Sequence, residues 1–146
     1  MTDLAGSVRD ERPYGWAVQR VRGAGLRPTR QRLALVRLLF EGADRHVTAE
    51  GLHGEALAQG VRVSLATIYN TLHQFTDAGL LRQVVVDGAR TYFDTNVGDH
   101  HHFFIEEEGQ LLDIPGRGIT VKGLPAAPEG FAPGRIDVIV RVHRQR

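Results

Sequence analysis

Three of the chain's seven histidines, His100, His101 and His102, are consecutive. Side chains alternate faces along a β-strand, so His100 and His102 point together while His101 points away, beside Asp99. An His-x-His pair on one strand face is a bidentate claw for a divalent ion, and two or three further ligands complete it. Asp113 on a returning strand, Asp94 at the end of a preceding hairpin and His46 upstream are the candidates. A nitrogen-and-oxygen set of this kind suits Fe(II), Mn(II) or Zn(II). The plain alternative is a solvated or partly buried cluster that binds nothing. The chain has no cysteine, which excludes disulfides, thiolate zinc sites, iron-sulfur clusters and cysteine nucleophiles. No helical His-Glu-x-x-His pattern or phosphate-cradling glycine loop accompanies the histidines, so a hydrolytic metal centre has only weak support and a protein that is not an enzyme is expected. His53 and His73 read as helix-surface residues and His143 as tail.

A second group has the chemistry of base recognition. In Leu65 to Ala78 the apolar residues Leu65, Ile68, Leu72 and Phe75 fall at helical spacing, and the opposite face carries Ala66, Thr67, Asn70, Thr71 and Gln74. These are short, polar and uncharged where surface helices usually place Lys and Glu. Asn or Gln can bond adenine bidentately, and Thr and Ala methyls can lie against thymine methyls. Tyr69 and Arg62 are better placed for phosphates. Upstream, eight arginines between Arg9 and Arg37, Arg30 among them, stand against only Asp10 and Glu11, a local charge of +6 within a chain of net +1. A basic surface suits a phosphate backbone. The alternatives are a solvated arginine-rich face, and a helix packed on another protein.

The elements that must position these residues follow from caps and periodicity. Residues 1–14 lack sustained periodicity and read as a mobile arm. A helix starts at Trp16 and breaks at Gly23-Ala24-Gly25; Thr29 caps a second helix that Gly42 stops; Thr48 caps a third that ends at Gly60. Val61-Arg62-Val63 is a short extended piece, Ser64 caps the helix from Leu65, and Gly79 ends it. Asp87-Gly88 between two β-branched or aromatic runs signals a hairpin. The three earlier helices, a strand, a hairpin and Leu65 to Ala78 as recognition helix make a winged helix-turn-helix over 15–95.

From residue 96 to 146 the composition defines a smaller unit. It has two strands joined by an acidic turn at Glu106 to Glu108, a Gly/Pro-rich stretch with at most one short helix near Pro125 to Gly130, and an alternating strand from Arg135 to Val142. The apolar face of that strand, Ile136, Val138, Val140 and Val142, is too much for about fifty residues to bury alone, so a homodimer is expected. The fold class is therefore α+β. With 146 residues, 42% of them apolar and 24% charged, the chain is an ordinary globular protein, too short for a large barrel enzyme. It shows neither a spanning apolar run nor a secretory signal pattern, so a cytoplasmic location and no membrane partner are expected.

GLRPTRQRLALVRLL (25–39), HVTAEGLH (46–53), SLATIYNTLHQFTDAGLL (64–81) and DHHHFF (99–104) resemble the ferric uptake regulator superfamily over nearly the whole chain. The histidine triplet, the lack of cysteine, and the phrases LPAAPEGF and RIDVIVRV resemble its iron response regulator branch. The resemblance implies a homodimeric, metal-responsive repressor of iron and haem genes, with a winged helix followed by a small α/β dimerisation domain, acting on a palindromic A/T-rich duplex. It implies a regulatory site at His46, Asp94, His100, His102 and Asp113, with aspartate at two positions where the family often has glutamate. It also implies haem as a second effector at His100, His101 and His102. A second metal site would use Asp99 and His101, but its later ligands have no clear counterpart. The family's structural zinc uses paired Cys-x-x-Cys motifs; the first here reads Ile105-Glu106-Glu107-Glu108, so that zinc is not expected. Manganese control without haem, and a haem or metal carrier, are the alternative functions.

Overall fold

The computed structural model describes residues 14–146 except Ala89. The expected arm, with Arg9 and Arg12, lies outside the described residues apart from Tyr14. The chain divides into two compact units, one ending at Val97 and the other spanning Gly98–Arg146.

The first unit runs α1 (Gly15–Gly23), α2 (Arg30–Phe40), β1 (His46–Val47), α3 (Ala49–Ala58), α4 (Leu65–Asp77), β2 (Arg82–Asp87) and β3 (Arg90–Asp94). Three helices start on side-chain caps. Thr29 Oγ1 accepts from the Arg32 N–H at 3.2 Å, Thr48 Oγ1 from Gly51 at 3.0 Å, and Ser64 Oγ from Thr67 at 3.1 Å. Each cap satisfies a helix N–H that has no intrahelical partner. The exit of α4 is a Schellman turn: Gly79, at φ +82°, donates to Thr76 O and Leu80 donates to Phe75 O. Glycine adopts that left-handed conformation without a Cβ clash.

Ile68, Leu72 and Phe75 of α4 are fully buried against Leu35, Val36 and Leu39 of α2, Leu52 of α3 and Phe93 of β3. Truncating a buried Phe costs about 3–5 kcal/mol, so this cluster fixes α4 on the wing. β2 and β3 pair antiparallel, and β1 joins β3 to give the order β1-β3-β2. Helix α2 ends at Phe40 with Glu41 as its cap, its N–H donating to Arg37 O, so the helix stops ahead of Gly42 as expected. One expectation changes. The third strand of the wing sheet is His46–Val47 and not Val61 to Val63, which forms no ladder. A two-residue strand has no alternation to read.

The second unit holds β4 (His100–Ile105), β5 (Gln110–Pro115), a 3-10 turn (Gly116–Gly118) and β6 (Ile139–Val142), in sheet order β5-β4-β6. β5 is antiparallel to β4, and β6 is parallel to it. The last strand is half the expected length. Pro125 to Gly130 forms no helix; Phe131 N–H donates to Pro128 O in a turn. Gly and Pro at that density prevent a helix from propagating. Leu124, Phe131, Ile136 and Val140 remain exposed, Phe131 at 76%. No helix among the described residues is long and apolar enough to cross a membrane.

Candidate metal centre and nucleic-acid interface

In the first unit, the β1–β3 register sets His46 opposite Asp94. Directly opposed residues of an antiparallel pair share a face. His46 Nε2 accordingly lies 3.1 Å from Asp94 Oδ2, and Asp94 is fully buried. The other carboxylate oxygen, Oδ1, accepts from the Asn96 N–H at 2.9 Å, which fixes the direction in which Oδ2 points.

In the second unit, the β4–β5 register sets His102 opposite Asp113, with His100 two residues away on the same face. Asp113 Oδ1 lies 3.3 Å from His100 Nε2 and 3.5 Å from His102 Nε2, and the two rings meet edge-on at 4.6 Å. His100 and His102 are 5% and 1% exposed. His100 Nδ1 donates to the Gly98 carbonyl at 2.7 Å. A carbonyl oxygen can only accept, so the Nδ1 atom carries the proton and the neutral ring presents a lone pair at Nε2. That lone pair faces another acceptor, the Asp113 oxygen. Two acceptors this close require a cation, a proton or a metal ion. Backbone-oriented imidazoles are how metal-binding histidines are held in the ligating tautomer. Within each unit the donor atoms lie within 4.8 Å of one another, a spacing that neutral-nitrogen and carboxylate ligands of one ion would have.

His101 faces the other way, and its Nδ1 accepts from the Val138 N–H at 3.0 Å, while His102 N–H donates to Val138 O. The proton of the neutral ring is then on Nε2. His101 holds the approach to β6 and presents no lone pair to a ligand in this arrangement.

The expected base-reading residues divide. The Asn70 side chain is exposed and has no hydrogen-bond partner among the described residues; Thr67 is half-buried. Thr71 is 5% exposed and packs inward, which removes it from the presented face. The sequence placed it outside because it lies at the border of the polar stripe, one residue before Leu72. Gln74 is exposed, but its Oε1 accepts from Arg32 Nη2 at 3.0 Å. Arg32 Nη1 also donates to Arg27 O at 2.8 Å. The Tyr69 hydroxyl donates to Glu50 rather than pointing free for a phosphate. That bond lowers the Glu50 carboxyl below its ordinary 4.5 and raises the Tyr69 hydroxyl above 10.0. Arg30 and Arg62 are exposed, whereas Arg37 stacks on Tyr14 at 3.6 Å and Arg20 on Phe40 at 4.6 Å. Arg32 and Glu50 went unrecognised as partners because both bonds join different helices.

The ferric uptake regulator family profile matches residues 23–132. The chain belongs to the ferric uptake regulator family. It is 33% identical over 110 residues to the ferric uptake regulation protein of Shigella flexneri, covering 74% of each chain. It is 32% identical over 98 residues to the peroxide-responsive repressor PerR of Staphylococcus aureus, 67% of this chain and 66% of that one. In fold it resembles the ferric uptake regulator of Pseudomonas aeruginosa solved with manganese, at TM-score 0.64 and 24% identity over 88% of this chain and 97% of that one. Membership in the family makes the protein a metal-responsive transcription regulator and not an enzyme. The winged-helix and sheet units correspond to the family's α+β architecture of a DNA-binding domain and a dimerisation domain.

Proposed function

We propose that the protein is a cytoplasmic, homodimeric repressor of iron and haem homeostasis genes, of the iron response regulator branch. In this reading one divalent ion takes His46 and Asp94 from the first unit and His100, His102 and Asp113 from the second. The observation that carries the proposal is the pair of His/Asp half-sites, above all the convergence of His100 Nε2 and His102 Nε2 on one Asp113 oxygen. Three imidazole nitrogens and two carboxylates suit Fe(II), Mn(II) or Zn(II). A bound ion would supply the charge that lets two half-sites on separate units share one centre.

The consequence for DNA is geometric. A dimer meets half-sites roughly 34 Å apart only when its two recognition helices keep a fixed separation. His46 and Asp94 belong to the unit that carries α4, so ligation from both units would restrict how α4 is presented. Asn70 and Thr67 would read A·T pairs of a palindromic operator, with Arg30 and Arg62 on phosphates. Haem enters as the second effector through the resemblance to that branch. Because His101 is tied to Val138, haem would be taken by His100 or His102 and would compete with the ion.

The test is metal content and DNA binding measured together. Wild-type protein is expected to hold one ion per subunit and to change its DNA affinity on chelation. A His100→Ala, His102→Ala double variant that keeps full metal content refutes the site.

A further inference from the structure

The side chain of Arg45, the residue before His46, bridges two helices. Arg45 Nη1 and Nη2 donate to the two carboxylate oxygens of Glu55 on α3, at 2.8 and 2.6 Å, and Nη1 also reaches Leu38 O on α2 at 3.2 Å. Its main chain is held as well. Arg45 N–H donates to Thr95 Oγ1 at 2.8 Å, and Thr95 N–H donates back to Arg45 O at 3.0 Å. The Thr95 hydroxyl donates in turn to Asp44 Oδ1 at 3.2 Å. These bonds continue the β1–β3 register one step past the His46–Asp94 pair, so Arg45 lies next to one ligand and Thr95 next to the other.

We infer that Arg45, braced by Glu55, is a positioning residue for the metal half-site of the first unit. The inference rests on the metal reading of His46 and Asp94. A two-residue strand has too few ladder bonds to fix its own register, and the side chain of His46 is aimed by where its backbone is held. The bidentate arginine fork supplies that hold from α3, with a third bond to α2. A fork of this kind keeps both partners planar, which a lysine at the same place does not reproduce. The ion pair is half-buried, so its expected effect is on ligand geometry more than on folding. Partners that orient ligands usually matter to metal affinity by roughly 10- to 100-fold.

The experiment titrates Co(II), as a spectroscopic probe, into full-length wild type and into Arg45→Met, Arg45→Lys and Glu55→Gln. Visible absorption reads both affinity and coordination geometry, and thermal unfolding is followed in parallel. Expected are a loss of Co(II) affinity by roughly 10-fold or more in Arg45→Met and Glu55→Gln, an intermediate loss in Arg45→Lys, and an altered absorption band in all three. Glu55→Gln keeps the shape of its side chain and stands in if Arg45→Met does not fold. Folded Arg45→Met or Glu55→Gln protein with wild-type affinity and spectrum overturns the positioning role while leaving the metal site intact. Wild-type protein that binds no Co(II), or binds it equally well in a His46→Ala variant, overturns the metal reading and this inference with it.

Discussion

Asn70→Ala tests the proposed DNA interface at an exposed residue of α4. Asn70 lies on the outer face of α4 with both ends of its amide unengaged among the described residues. It can therefore meet the donor and acceptor of an adenine edge without first breaking a bond. A bidentate amide–adenine pair discriminates by roughly 1–3 kcal/mol, so each subunit should lose about 5- to 140-fold in the ratio of specific to scrambled binding, at 1.4 kcal/mol per decade. Gln74 has the same chemistry and a different expectation. Its Oε1 must leave the Arg32 guanidinium, and a hydrogen bond to a charged group is worth roughly 1.5–3 kcal/mol. Loss of that bond offsets any base contact, so Gln74→Ala should change the ratio little. The assay is fluorescence anisotropy on a duplex selected from a random pool and on its scrambled form, at several salt concentrations. Arg30→Ala and Arg62→Ala should weaken both duplexes alike and each lower the salt slope by about one. An unchanged ratio in Asn70→Ala, or a collapse in Gln74→Ala exceeding it, would refute this account of α4.

Val140 is exposed in the isolated chain and alternates with Val142 along β6, so Val140→Asp should turn a dimer into monomers or aggregates; sedimentation of a monomeric wild type at micromolar concentration would contradict the dimer. Glu50 should titrate below 4.5 by NMR and move back up in Tyr69→Phe. Its depressed value means the Tyr69–Glu50 bond contributes above the ordinary carboxylate range and is lost as pH falls through the folded value, and an unmoved Glu50 titration would show that the bond does not form in solution. Ferric haem, if bound through the triplet, should give an absorption spectrum altered in the His100/His102 double variant and retained in His101→Ala; the opposite pattern would place haem on His101 and require the Val138 bond to open.

Much of this was legible because the signals are local. Ser64, Thr48 and Thr29 declare helix starts through their own side chains, and Gly79 declares an exit through its backbone. Leu65, Ile68, Leu72 and Phe75 place the buried face of α4 without knowledge of the partner. The alternation His100, His101, His102 placed two rings on one face and one on the other, which burial of the outer two and the Val138 bond of the middle one match. What escaped is set by contacts between distant segments. His46–Val47 becomes a strand only because β3 offers it a ladder. Thr71 turns inward because α4 packs more deeply than its apolar stripe alone requires. The Arg32–Gln74 and Arg45–Glu55 bonds join residues 42 and 10 apart, separations at which neither charge pattern nor periodicity carries information.

The second half-site depends on one further non-local quantity, the register between β4 and β5. A slip of one residue would send every side chain of β4 to the opposite face, exchanging His101 for His100 and His102 beside Asp113. Alternation alone does not forbid that, because all three positions are histidine. The ladder is instead fastened at its two ends. At the turn, Glu108 N–H donates to Ile105 O at 3.2 Å, closing the short connection between β4 and β5. At the other end, a Cβ on Gly116 would stand 2.5 Å from the Asp99 carbonyl oxygen, a clash that backbone atoms cannot relieve by rotating a side chain. Only glycine lets the end of β5 close against the start of β4. The acidic turn and Gly116 thus act on metal chemistry without touching a ligand: they determine which histidines of the triplet face Asp113.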